Sequence, residues 1–271
     1  MTSKVAHLPA RSVRYLEAGS GTPIVLLHAF PLHANQWLPQ IDRPPRGWRV
    51  IAPDLRGWGP AAANALAIPD TIDGHADDVL ELLAHLDIAR AVIGGLSMGG
   101  YVALALAAKA SSRVAGLVLA DTRASADTPE GRAKRDRAIA RVATEGPVAV
   151  ARDLASGVVG ATTRAEQPDL VDVLHDFAAA VTSDGLTSTL RALRDRPDRT
   201  ELLYSIACPT VILCGDEDTV TPLAESEAMH AAIAGSRLVT IPRAGHLSNL
   251  EQPAAFNVAL STWTASLSPR P

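Results

Sequence analysis

Short aliphatic runs recur along the chain, spaced so that a helix fits between them. Residues 24–28, 49–52, 91–94, 117–120, 210–214 and 238–241 are mostly apolar and rich in valine, isoleucine and leucine. They lack the polar alternation of a strand with one wet face, so each predicts a strand covered on both sides. Two earlier segments, 4–8 and 12–17, are set off by Gly19-Ser20-Gly21 and predict a hairpin of strands. The pattern between the runs is helical. Within 71–86, Val79, Leu82, Leu83 and Leu86 fall at i, i+3, i+4 and i+7. Residues 98–109 are rich in alanine and leucine. Segment 222–233 opens on Pro222 with Glu225 and Glu227 near its positive end, and 251–267 carries Pro253 in its first turn. Strands alternating with helices predict an α/β fold, a mostly parallel sheet with helices on both faces.

One stretch departs from this alternation. From residue 123 to about residue 200 no run predicts a strand. Helical segments there are divided at 145–147, 159–161, 167–168 and 183–185. Acids and bases balance across it, and its locally basic part, 132–141, reads as a solvated helix face. A helical insertion of this length between two strands reads as a lid or a binding element. The expected organisation is a core, 1–122 with 201–271, and a helical cap, 123–200.

Composition narrows the function classes. The chain has 271 residues, 47% hydrophobic and 20% charged, which suits a large core and excludes wholesale disorder. A net charge of −4 offers no broad basic field, so no nucleic-acid partner is expected. The longest strongly apolar stretch, 101–108, is far short of the ~20 residues of a membrane span. Residues 1–7 lack the apolar run of a secretory signal. Cys208 and Cys214 are too few for a disulfide framework, and a cytoplasmic setting is expected. No histidine stands beside them, so they read as buried free thiols and not as a metal site. No glycine-rich phosphate fingerprint appears, so no cofactor is expected.

The chemistry centres on Gly95-Leu96-Ser97-Met98-Gly99. A buried strand precedes this serine and a small-residue helix follows it, the context in which G-x-S-x-G exposes a hydroxyl on a sharp strand-to-helix turn. A serine hydroxyl needs a base, and the base needs an orienting carboxylate. In doubly wound hydrolases these follow in the order serine, acid, histidine. Downstream lie Gly215-Asp216-Glu217-Asp218 after one strand and Ala244-Gly245-His246-Leu247 after the last. His246 sits in a loop behind glycine, whereas His175 and His230 lie on helical patterns. Asp218 stands far enough into its loop to turn towards the histidine. Asp216 is placed to bond loop amides, and Asp121 ends another strand. The loop Leu27-His28-Ala29-Phe30-Pro31 follows the first long strand. The amides of Phe30 and Met98 are the expected oxyanion donors, and His28 is expected to bond loop backbone.

These motifs resemble the α/β-hydrolase superfamily. The chain is similar, over about residues 12–267, to small bacterial carboxylesterases and lactonases. Those include pimeloyl-carrier methyl esterases, 3-oxoadipate enol-lactonases, acyl-homoserine lactonases and esterase-perhydrolases. The residues that carry the resemblance are His28–Trp37, Asp54-Leu-Arg-Gly-Trp-Gly59, the serine turn, the G-D-x-D loop ending at Asp218, and Gly245-His246 with Glu251 five positions on. Ala29 stands where the family has glycine, and Pro60 replaces a small polar residue. The resemblance implies an eight-stranded sheet and a triad of Ser97, Asp218 and His246. It implies a serine hydrolase of carboxylic esters acting through an acyl-enzyme, with lactone opening or a perhydrolase side activity as alternatives. A ligand-binding receptor is disfavoured because no triad member is missing, and a haloalkane dehalogenase would carry aspartate at position 97. Trp37, Phe177 and Leu247, with Phe30 and Met98, are the expected pocket lining for a small-molecule ester or lactone.

Overall fold

The computed structural model describes residues 2–9, 11–60 and 67–267. The parts of the expected core at 1, 10, 61–66 and 268–271 lie outside the described residues. Eight strands form one sheet: β1 (Thr2–His7), β2 (Ser12–Gly19), β3 (Thr22–Leu27), β4 (Trp48–Pro53), β5 (Ala91–Leu96), β6 (Val114–Ala120), β7 (Thr210–Gly215) and β8 (Arg237–Ile241). Their spatial order is β1-β2-β4-β3-β5-β6-β7-β8. The first two strands pair antiparallel and β2 meets β4 antiparallel, while every later pairing is parallel. All eight expected strands are present. β5 and β7 are buried at every position, as continuous apolar runs require when both faces are covered. The edge strands β1 and β8 are largely uncovered.

A 3₁₀ turn at Ala34–Trp37 leads into α1 (Leu38–Ile41), and α2 (Ile72–His85) and α3 (Met98–Lys109) complete the first half. The hydroxyl of Thr71 caps α2 by accepting from the Gly74 amide at 3.0 Å. Between β6 and β7 come α4 (Pro129–Glu145), α5 (Pro147–Ser156), α6 (Ala161–Glu166), α7 (Pro168–Ala178), α8 (Ser183–Arg194) and α9 (Thr200–Leu203). No strand interrupts them among the described residues, so the expected helical cap insertion is present. Three of its helices begin with proline at their first position, where the missing N–H leaves no intrahelical bond unmade. The chain ends with α10 (Leu223–Ala232), α11 (Ser248–Glu251) and α12 (Pro253–Ala265).

Two boundaries correct the sequence reading. The expected helix over 251–267 is α12, with Pro253 in its first turn as expected, but it starts after Gln252, which the following proline drives from helical geometry (φ −132°, ψ 63°), and Glu251 ends the separate short helix α11. Pro222 precedes α10 and does not belong to it. Among the described residues no helix is long and apolar enough to cross a membrane.

Register places the chemistry. Leu27 stands opposite Gly95, Leu96 opposite Ala120, and Gly215 opposite Ile241. The loops leaving β3, β5, β6, β7 and β8 therefore share one rim, beyond the carboxyl ends of parallel strands, where ligands gather in such sheets.

Candidate active site

Ser97 stands between β5 and α3 at φ 53°, ψ −112°, a strained conformation for a residue with a side chain. The flanking glycines make that turn possible. A Cβ on Gly95 would lie 2.0 Å from the Gly99 carbonyl carbon, and one on Gly99 would lie 2.1 Å from the Leu27 oxygen. Bare backbone thus lets the start of α3 press against both its own strand and the end of β3. The Ser97 amide donates to Ala120 O at 3.0 Å, and the Thr122 hydroxyl donates to Ser97 O at 2.8 Å, so the strained turn is tied to β6.

The structure brings Ser97, His246 and Asp218 together. Ser97 Oγ lies 2.8 Å from His246 Nε2, and His246 Nδ1 lies 2.8 Å from Asp218 Oδ2. An ionised carboxylate only accepts, so Nδ1 carries the proton and Nε2 presents its lone pair to the serine hydroxyl. Asp218 Oδ1 accepts from the Val220 and Thr221 amides at 2.8 and 2.9 Å, and the Thr221 hydroxyl donates to Oδ2 at 2.7 Å. Burial alone would raise the Asp218 carboxyl. The His246 ring and the Thr221 donors outweigh it and hold the group below its ordinary range. Thr221 escaped the sequence reading, because nothing in T-V-T-P says which threonine turns back.

Asp216 is exposed, and among the described residues its side chain accepts only from the Ala244 amide, at 3.4 Å. Asp121 is fully buried beside the relay. Its Oδ1 accepts from Gly215 N at 2.8 Å, and its Oδ2 from the amide and hydroxyl of Ser248 at 3.2 and 2.5 Å. Burial and the neighbouring Asp218 push its carboxyl well above the ordinary range. Asp121, Cys214 and Asp218 carry potential ligand atoms within 4.8 Å of one another. Both carboxylates are already taken up by donors, and burial pushes the Cys214 thiol up to about 12, so the trio is a poor cation site. Cys208 and Cys214 are both free thiols.

Among the described residues the amides of Phe30 and Met98 have no hydrogen-bond partner, while the amide of Ala29, the residue before Phe30, donates to Gln36 Oε1 at 2.7 Å. Gln36 is braced in turn by Asn249, whose amide nitrogen donates to Gln36 O at 2.9 Å. Ala29 is absent from the positive-φ residues, so its Cβ costs no strain in the place of the family's glycine. His28 is fully buried: Nδ1 donates to Ala29 O at 2.9 Å, and Nε2 accepts from Leu55 N at 3.0 Å. Burial lowers its pKa to about 3, so it is a neutral bracing residue. The turn at Asp54 adds a second brace, since Asp54 Oδ1 accepts from Ala34 N at 2.8 Å.

The expected lining residues separate. Phe30 packs edge-on against Trp58 at 5.4 Å, and Trp58 Nε1 donates to Thr189 of α8 at 3.1 Å. Phe177 of α7 is half-buried and lies 5.0 Å from the His33 ring. Met98 and Leu247 are buried at the rim. Trp37 is a correction. It is 0% exposed and packs on Phe256 at 5.9 Å, so it belongs to the core beneath the loop.

Comparison with known proteins agrees with this architecture. The sequence pattern of the "Alpha/beta hydrolase family" matches residues 24–259. A curated 3-oxoadipate enol-lactonase of Acinetobacter baylyi is 30% identical over 237 residues, covering 88% of this chain and 86% of that protein. A thermophilic esterase from Thermogutta terrifontis superposes with a TM-score of 0.87 at 35% identity, covering 98% of this chain and 99% of that one. An enol-lactonase from Burkholderia xenovorans gives a TM-score of 0.86 at 28% identity, covering 97% and 100%. The chain belongs to the alpha/beta hydrolase family.

Proposed function

We propose that this hydrolase cleaves carboxylic esters of small or medium acyl groups in two acyl-transfer steps. Ser97 attacks the ester carbonyl while His246 Nε2 takes the hydroxyl proton. Asp218 holds His246 in the required tautomer and stabilises the imidazolium. The Phe30 and Met98 amides donate to the oxyanion, and such donors contribute roughly 3–4 kcal/mol each in related enzymes. His246 then protonates the leaving alcohol, and water, activated by the same imidazole, releases the acid. Segment 123–200 roofs the site as the cap. The two unpaired cysteines support a reducing, cytoplasmic setting.

The observation that carries this reading is the continuous relay of two 2.8 Å contacts from Ser97 through His246 to Asp218. The amides of Phe30 and of Met98, the residue after Ser97, have no hydrogen-bond partner among the described residues. A lactone is an ester with a tethered leaving group and needs the same relay. Relatives at about 30% identity named as enol-lactonases favour lactone opening as the second reading. Hydrolysis of short p-nitrophenyl esters by the protein and by Ser97→Ala tests the first. The expected result is turnover in the parent and loss of at least about 10³-fold in the variant. Unchanged turnover in Ser97→Ala removes the serine from the scheme. Parallel assays on linear methyl esters, an enol-lactone and an acyl-homoserine lactone rank the two readings.

A further inference from the structure

A carboxylate outside the relay grips the histidine loop. Glu251, the last residue of α11, is 1% exposed. Its Oε2 accepts from Gly160 N at 2.8 Å and from Gly245 N at 2.9 Å, and its Oε1 accepts from Leu247 N at 2.9 Å. Gly245 and Leu247 are the chain neighbours of His246, and Gly160 immediately precedes α6 in the helical insertion. One side chain therefore holds both flanks of the histidine and fastens them to the insertion.

The surrounding contacts leave little slack. The His246 amide itself donates to Val158 O at 2.9 Å. A Cβ on Gly245 would lie 2.2 Å from Gly160 N, so the two segments meet backbone to backbone. Glu217, on the loop that carries Asp218, accepts from Thr162 N at 2.7 Å and from the Thr162 hydroxyl. Segment 158–162 thus touches the loops of His246 and of Asp218 together. A carboxylate suits three converging N–H donors because it only accepts. A glutamine there would turn its own N–H₂ against at least one of them and leave that donor buried and unpaired.

We propose that Glu251 is a positioning residue for the hydrolysis described above: its carboxylate joins the seating of segment 158–162 and the reach of His246 towards Ser97 into one arrangement. It touches neither substrate nor reacting atoms and acts through His246. The inference rests on the roles assigned to Ser97 and His246. When the grip loosens, the imidazole drifts, and a misplacement of about 1 Å in such a group costs about 10²-fold in rate.

The test compares the parent, Glu251→Gln, Glu251→Ala and Ser97→Ala on p-nitrophenyl butyrate, with circular dichroism and thermal melting alongside. Glutamine preserves size, so Glu251→Gln stays folded even where Glu251→Ala does not. The expected result for folded Glu251→Gln is a fall in kcat of about tenfold or more with KM within about twofold, since positioning acts on the transition state. A folded Glu251→Gln that melts earlier but keeps the parent kcat makes the residue merely structural and overturns the proposal. A raised KM at unchanged kcat overturns it too, because the grip would then act on binding. The Ser97→Ala arm separates two failures. If Ser97→Ala loses turnover while Glu251→Gln keeps it, only this proposal falls. If Ser97→Ala keeps turnover, the reading of the site falls and takes this one with it.

Discussion

Ser97 Oγ and His246 Nε2 stand 2.8 Å apart although 149 positions separate them in the chain. Their strands are not neighbours, since β6 and β7 lie between β5 and β8. The contact is made by loops that meet over the sheet rim, held by Thr122 on one side and by Val158 and Glu251 on the other. The geometry thus depends on the sheet order and on the helical insertion together.

The two aspartates of the G-D-x-D loop are predicted to behave differently. Asp218 bonds the His246 ring at 2.8 Å, whereas Asp216 reaches only a loop amide. Asp218→Asn should lower kcat by about 10⁴-fold, because an amide can hold the ring in the wrong tautomer. Asp216→Asn should stay within about threefold of the parent. Steady-state kinetics on one ester check both, and the reverse order would move the orienting role to Asp216.

Acid should unfold this protein through its buried histidines. Burial lowers His28 to about 3, and His33 and His75 to about 4. The unfolded chain takes up these protons near pH 6.5, but the folded one does not until far lower. The associated stability is complete above about pH 6.5 and is lost as pH falls towards 4. By pH 5 each histidine accounts for about 2 kcal/mol of that loss. Neither ring nitrogen of His75 has a hydrogen-bond partner among the described residues, so His75→Leu strands no donor or acceptor. Urea midpoints at pH 7.5 and pH 5.0 should lie closer together in His75→Leu than in the parent. An equal separation would contradict this account.

The joints between the insertion and the sheet are predicted to hinge on Asp127. It precedes α4 and accepts from Arg196 at 2.7 Å, Arg123 at 2.9 Å and Arg135 at 3.3 Å. Arg196 lies between α8 and α9, is buried, and stacks 4.3 Å over the Tyr101 ring. The pair thus bridges both chain crossings. Removing one partner of a buried pair costs about 3–5 kcal/mol because the other charge stays buried without its counter-charge, and Arg196 would keep its bonds to the neutral carbonyls of Leu193 and Ser125. Asp127→Asn should lower the melting midpoint by about 10 °C and open 123–200 to protease. A midpoint within about 2 °C of the parent would contradict it.

Much of this fold was legible because its central strands, such as β5 and β7, are apolar on both faces and bounded by glycine, proline or a helical pattern, although β8, expected to be covered on both sides, is a largely uncovered edge. Pro253 was legible as a first-turn residue, and α12 starts on it. Ser97 and His246 stood out because glycines flank them at strand ends. Thr221 and Gln36 did not, and the role of Glu251 was not legible in its motif: Thr221 turns its hydroxyl back on Asp218, while Gln36 and Glu251 accept from backbone amides that only the folded loops bring to them. Trp37 misled for a related reason. An aromatic after the β3 loop suits a pocket wall as well as a core, and only the packing of Phe256 decides between them.

The central claim is that His246 makes the Ser97 oxygen nucleophilic. Incubation with a fluorophosphonate probe, followed by peptide mass spectrometry, tests it most directly. The account predicts one adduct on Ser97, forming with loss of ester hydrolysis and slowed by at least about 10³-fold in His246→Ala. An adduct on another residue, or Ser97 labelling at the parent rate in His246→Ala, would contradict it.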